Sequence, residues 1–112
     1  MSYPTLFTTP GVKAFAEAVD AERQAQLAKW GDQRYPDGTG RPGSRERADQ
    51  MRAICQANGP SEDNWQDIAA EEVAEAFAET DPVLLRAELI QVAAVIAAWV
   101  HDIDNRPEAV PE

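Results

Sequence analysis

Cysteine occurs once in these 112 residues, as Cys55, and histidine once, as His101. A lone thiol excludes an internal disulfide and leaves a Cys-ligated zinc site without partners, which fits the reducing cytoplasm. Cations are scarce as well: ten Lys and Arg stand against twenty Asp and Glu, a formal charge of -10. Such a surface repels phosphate backbones and anionic lipid, which argues against general nucleic-acid binding. An anionic substrate then needs a metal cation or a local basic patch to approach. The longest unbroken apolar run, residues 92–100, has nine residues, against roughly 18 for a membrane span. The N-terminus lacks the basic start and apolar stretch of a secretory signal. Period-2 alternation, internal repeats and P-loop spacing are all missing. A soluble cytoplasmic protein that contacts neither membrane nor nucleic acid is the expectation.

What is present points to helices. Hydrophobic residues make up 44% and charged residues 27% of the chain, ordinary values for one globular domain. From Val12 to Trp30 the residues Val12, Phe15, Ala16, Val19, Leu27 and Trp30 recur mostly at three- and four-residue spacing, which predicts an amphipathic helix ended by Gly31. The segment DQRYPDGTGRPGS that follows reads as a long loop, and loops of that length in a compact domain are often functional. Ser44 is a candidate cap for a helix over residues 45–57, with Ala48, Met51, Ile54 and Cys55 on its apolar side, stopped by Asn58, Gly59 and Pro60. Asp63 and Gln66 match a capping box opening a helix over residues 64–79, with Trp65, Ile68, Ala69, Val73, Ala76 and Phe77 inward. Pro82 suits the first position of a last helix over residues 82–104, roughly 34 Å long. Its middle is apolar on nearly every face, and three other helices supply too little cover, so a homodimer or homotetramer sharing it is expected. The expected fold is all-α, four to five helices in a single domain over residues 1–112, with an N-terminal arm over residues 1–10 and a flexible tail over residues 105–112.

Charge is uneven along the chain. Lys29, Arg34, Arg41, Arg45, Arg47 and Arg52 gather six of the ten cations between positions 29 and 52, whereas the chain from Ser61 onward holds two cations and thirteen acids. Most of these suit solvated faces. Glu71, Glu72 and Glu75, however, are neighbours on one helix surface, where like charges repel. Across the short turn at Thr80 and Asp81, Glu88 lies within about 3 Å of the height of Glu75, so carboxylates can converge from two helices. A convergent oxygen site suits Mg²⁺ or Mn²⁺, although a solvated acidic face has the same spacing.

The pattern Glu72-x-x-Glu75, then Glu88-x-x-Gln91, closely resembles the ExxE…ExxD signature of the all-α nucleoside triphosphate pyrophosphatases, the MazG-like superfamily. The segments ERQAQLAKWGDQRYPDGTG and WQDIAAEEVAEAFAETDPVLLRAELIQVAAVIAAWV resemble a small actinobacterial and phage-type branch of it. The resemblance spans residues 22–104. It implies a helical fold in dimers or tetramers and Mg²⁺-dependent hydrolysis between the α and β phosphates of a nucleotide, releasing a monophosphate and pyrophosphate. It further implies that Glu72, Glu75, Glu88 and Gln91 are metal ligands and that Glu71 holds or deprotonates the attacking water. The fourth family position, usually Asp, is Gln91 here, whose amide oxygen can touch Mg²⁺ but brings no charge.

Asp67, one turn before Glu71, is a supplementary donor, whereas Asp102 lies roughly 16 Å beyond Gln91 along the helix. Lys29 and Arg34 are candidate phosphate contacts. Trp30 is either a base-stacking platform or a structural anchor, the latter preferred. Trp65 and Trp99 read as core, the loop at Tyr35 to Gly40 as a lid or a plain turn, and His101 and Cys55 as structural. Beside the hydrolase stand two other readings: a non-catalytic module of the same fold that binds a nucleotide or a protein, and an acidic oligomeric scaffold.

Overall fold

The structure, a computed structural model, is described for residues 6–107; the outermost parts of the expected arm and tail lie outside these. It is all-helical, with α1 Val12–Trp30, α2 Ser44–Glu62, α3 Trp65–Ala78 and α4 Pro82–Asp104, and no strand among the described residues. The chain divides into two compact units that share α4. One runs to Tyr35 and resumes at Ala97; the other is Pro36–Ile96.

In the first unit, α1 spans the residues its periodicity predicts, and the Gly31 N–H closes it on the Leu27 carbonyl at 2.8 Å. None of its residues is buried, and Trp30 is 55% exposed. The His101 ring lies against the Gly11 backbone and leaves no room there for a Cβ. Asn105 donates to the His101 carbonyl at 2.8 Å, so the one histidine sits in the packing of a helix end.

In the second unit, α2 packs along α3. The start of α2 differs from expectation. Its N-cap is Gly43, at φ 88°, while Ser44 is already helical and its hydroxyl donates to the Arg41 carbonyl at 2.7 Å. A Ser side chain caps only from an extended backbone, which Ser44 does not have. The expected stop at Asn58-Gly59-Pro60 is a break at Gly59 (φ 66°, ψ 176°), after which one further turn runs to Glu62. Only glycine takes that backbone freely, and Pro60 then suits the first position of the extra turn.

The N-cap of α3 is Asn64 rather than Asp63. Asn64 is extended, its Oδ1 accepts the Asp67 N–H at 2.8 Å, and its Nδ2 donates back to Asp67 Oδ2 at 2.9 Å. Replacing the cap by alanine (Asn64→Ala) is expected to lower stability by about 1 kcal/mol in a denaturant titration; Asp63→Ala should change it little. At the other end, Glu79 Oε1 accepts the N–H groups of Thr80 and Asp81, and Asp81 Oδ1 accepts that of Val83 at 2.8 Å ahead of Pro82. Two side chains thus satisfy the backbone of this turn, which explains why so short a connection suffices.

The core is small. Only Ala48, Ala69, Ala74, Ala76, Leu85 and Ala97 are buried among the described residues. Ile54 and Phe77, expected inward, are exposed, Phe77 at 58%. Trp65 and Trp99 are half-buried. On α4, Val83, Leu84, Leu89 and Ile90 are all exposed, Val83 at 77% and Ile90 at 56%. The absence of a long unbroken apolar run understated this helix. By length and composition, α4 is one helix apolar enough to cross a membrane.

Candidate functional site

Helical spacing gives the α2–α3 pair two unlike flanks. On α3, Ala70, Val73, Ala74 and Phe77 fall on one side, while Glu71 and Glu75 fall on another. On α2, Ala48 points at the partner helix, with Arg45 and Arg52 to the acidic side and Ser44, Arg47 and Met51 to the apolar side.

On the acidic flank, Arg45 Nη1 lies 3.1 Å from Glu75 Oε2, and Arg52 Nη2 bonds Glu75 Oε1. Arg52 Nε also lies 4.0 Å from Glu71 Oε1 and Arg52 Nη1 3.8 Å from Asp49. Glu75 is largely covered, at 16% side-chain exposure, so its two charge-assisted bonds fix its position. The basic middle of the sequence therefore meets the acidic α3 directly, a pairing that charge distribution hinted at but could not register.

Among the described residues, Glu72 forms no ion pair with these arginines. Its carboxyl is pushed above the usual carboxylate range, first by burial and then by the negative charges of Glu71, Glu88 and Glu75. Glu88 is on α4, so carboxylates of both helices act on one another across the turn. Glu72 and Glu88 are half-buried and Gln91 is exposed. Among the described residues, no three His, Cys, Asp or Glu side chains converge tightly enough to form a ready metal cage. The donor chemistry nonetheless suits Mg²⁺ or Mn²⁺. These ions take hard carboxylate oxygens, need only one or two of them, and relieve the kind of anionic crowding found at Glu72.

Asp67 is engaged elsewhere. Its carboxylate accepts from Asn58 and Asn64, each at 2.9 Å, and its carbonyl accepts the Cys55 thiol at 3.4 Å. Burial, followed by the nearby Glu71, Asp67 and Asp63, pushes the Cys55 thiol up to about 11. At pH 8 a thiol so raised should react with iodoacetamide about 100-fold more slowly than an unperturbed cysteine, as mass spectrometry of timed samples would show.

The residues expected to meet substrate lie in the first unit. The Lys29 ammonium sits 4.7 Å over the Trp30 ring, a cation–π contact, and Arg34 Nε lies 3.2 Å from Asp32 in the exposed stretch after α1. The loop over residues 36–43 is anchored where it crosses the end of α3: the Gly40 N–H donates to the Phe77 carbonyl at 2.8 Å, and Thr80 occupies the place a Cβ at Gly40 would take. Gly40 is at φ 72°.

Compared with known proteins, the chain matches no family model, no curated protein and no solved structure.

Proposed function

We propose that the chain is a Mg²⁺- or Mn²⁺-dependent nucleotide pyrophosphohydrolase of MazG-like type, cleaving a nucleoside triphosphate between its α and β phosphates. One observation carries the reading: the carboxylates of Glu71, Glu72, Glu75 and Glu88, drawn from two helices, crowd enough to raise Glu72. Repulsion of this kind is what a bound divalent cation would relieve. Glu72 and Glu88 are the residues that would hold the metal, with Gln91 one turn beyond Glu88 as a neutral donor. The bound ion supplies charge neutralisation for the phosphates and the leaving pyrophosphate. Glu71 is the group to orient or deprotonate the attacking water. Arg45 and Arg52 hold Glu75 in place and lower the negative field that an incoming triphosphate meets.

The same arginines favour a second reading. With Glu75 already neutralised and Gln91 lacking charge, the chain is a helical module that binds a nucleotide without hydrolysing it. Incubating the protein with the common ribo- and deoxyribonucleoside triphosphates and Mg²⁺ or Mn²⁺, with phosphate products separated by chromatography, decides between them. Monophosphate plus pyrophosphate supports the hydrolase. Binding by calorimetry without any product supports the module.

Assembly belongs to the proposal. The exposed Val83, Ala87, Ile90 and Ala94 follow each other at spacings of four, three and four along α4, the seam of a helix that packs on another helix. A lipid environment would have to accommodate Arg86 and Glu88 in the same segment, at roughly 3 kcal/mol each near a bilayer centre. A second copy of α4 is the better cover, in a homodimer or homotetramer.

A further inference from the structure

The apolar flank of α2 and α3 contains a cavity of about 420 Å³ lined by Pro42, Ser44, Met51, Val73 and Phe77, with Arg47 as its one charged wall. That volume is within the roughly 300–1,000 Å³ of small-molecule sites. A second cavity of about 300 Å³ adjoins it through Ser44 and Phe77 and carries both Asp37 and Arg41. Phe77, more than half exposed, forms a wall of both.

Charge complementarity identifies the occupant. In a chain of net charge -10, Arg45 and Arg52 on the other flank are taken by acids. Arg47, among the described residues, has no acid partner. It stands at the start of α2, where the partial positive charge of the helix end adds to that of the guanidinium and Glu46 in the same turn offsets part of it. Asp37 and Arg41 both line the far end of the groove, so that end carries one charge of each sign.

We propose that this cavity binds a small amphipathic anion, a flat or short apolar body seated on Phe77, Val73 and Met51 with one phosphate or carboxylate group on Arg47. The site lies on the other flank from the acidic cluster, because Ala70, Val73 and Phe77 fall on a different side of α3 from Glu71 and Glu75. Anchoring of the loop at Gly40 to Phe77 means that the ligand contacts the loop and α3 together.

Metal-free full-length protein titrated with phenyl phosphate, and followed by ¹H–¹⁵N correlation spectra, tests the site separately from any hydrolysis. The expected shifts cluster at residues 43–47, 51 and 70–77. Inorganic phosphate and phenol, each carrying half of the recognition, should bind at least about 10-fold more weakly. Benzoate, with the same ring and a carboxylate, should compete. Arg47→Gln should weaken phenyl phosphate about 10-fold and leave phenol unchanged, and Ala74→Leu, which fills the cavity, should abolish both. The proposal is overturned by shifts that map to Glu71 and Glu75 instead, by unchanged affinity in Arg47→Gln, by phenol binding as tightly as phenyl phosphate, or by no shift at about 10 mM. A second copy seated in this groove would give the last result and overturn it equally.

Discussion

Replacing Glu72 by glutamine is expected to reduce pyrophosphate release by at least about 1,000-fold while leaving the far-ultraviolet circular dichroism unchanged. The side chain keeps its shape and loses the charge on which the metal depends. The same substitution should stabilise the metal-free protein wherever Glu72 would otherwise be ionised, because burial and the charges of Glu71, Glu88 and Glu75 disfavour its charged form. A carboxyl raised in the folded state binds its proton more tightly than in the unfolded chain. Its stabilising contribution is therefore complete below the ordinary carboxylate range and is lost as pH rises through the raised value. Wild-type protein without metal should thus lose Tm relative to Glu72→Gln as pH rises above the ordinary carboxylate range. Each like-charge neighbour contributes a few tenths of a kcal/mol. Millimolar Mg²⁺ should raise the wild-type Tm and not that of the variant. Loss of activity together with gained stability separates a functional carboxylate from one that merely holds the fold, whose loss would lower both.

The second large effect concerns α4. Wild-type protein is expected to sediment as a dimer or tetramer, and Ile90→Glu to sediment as a monomer, with the dissociation constant raised at least about 1,000-fold. A carboxylate forced into an apolar helix contact without a partner costs several kcal/mol, and each 1.4 kcal/mol is a factor of ten. Ile90 is more than half exposed in the single chain and is not among the acids of the site. Monomeric wild-type protein would contradict the proposed assembly and leave α4 without its expected cover.

The helices were legible in the sequence because their signals are local. The period of Val12 to Trp30, the glycine after it, and Pro82 behind Asp81 fix α1 and the start of α4 within a residue. Caps were less legible. Ser44, Asp63 and Asn64 are all competent by type, and only backbone φ and ψ decide which one stands at the boundary. Inward faces are less legible: Ile54 and Phe77 lie on apolar stripes yet are exposed, since such a stripe is wider than the surface a partner helix of the same short chain can cover. The mutual repulsion that raises Glu72 follows from the spacing of Glu71, Glu72, Glu75 and Glu88. The arginine cover of Glu75 does not, because Arg45 and Arg52 lie 30 and 23 residues from Glu75 and meet it only through the packing of α2 on α3. Arg47 carries the same charge as these two residues, and its turn of the helix, not its type, directs it to the other flank.

Cation binding by the carboxylates of α3 and α4 is measured without a nucleotide by Mn²⁺ paramagnetic resonance. Titrated with Mn²⁺, the wild-type protein should remove the free-ion signal with a dissociation constant below about 1 mM, and Glu72→Gln and Glu88→Gln should each bind at least about 10-fold more weakly. Wild-type and variant proteins that leave the same free Mn²⁺ signal would show that these carboxylates hold no metal, and would contradict the proposed metal-dependent hydrolysis.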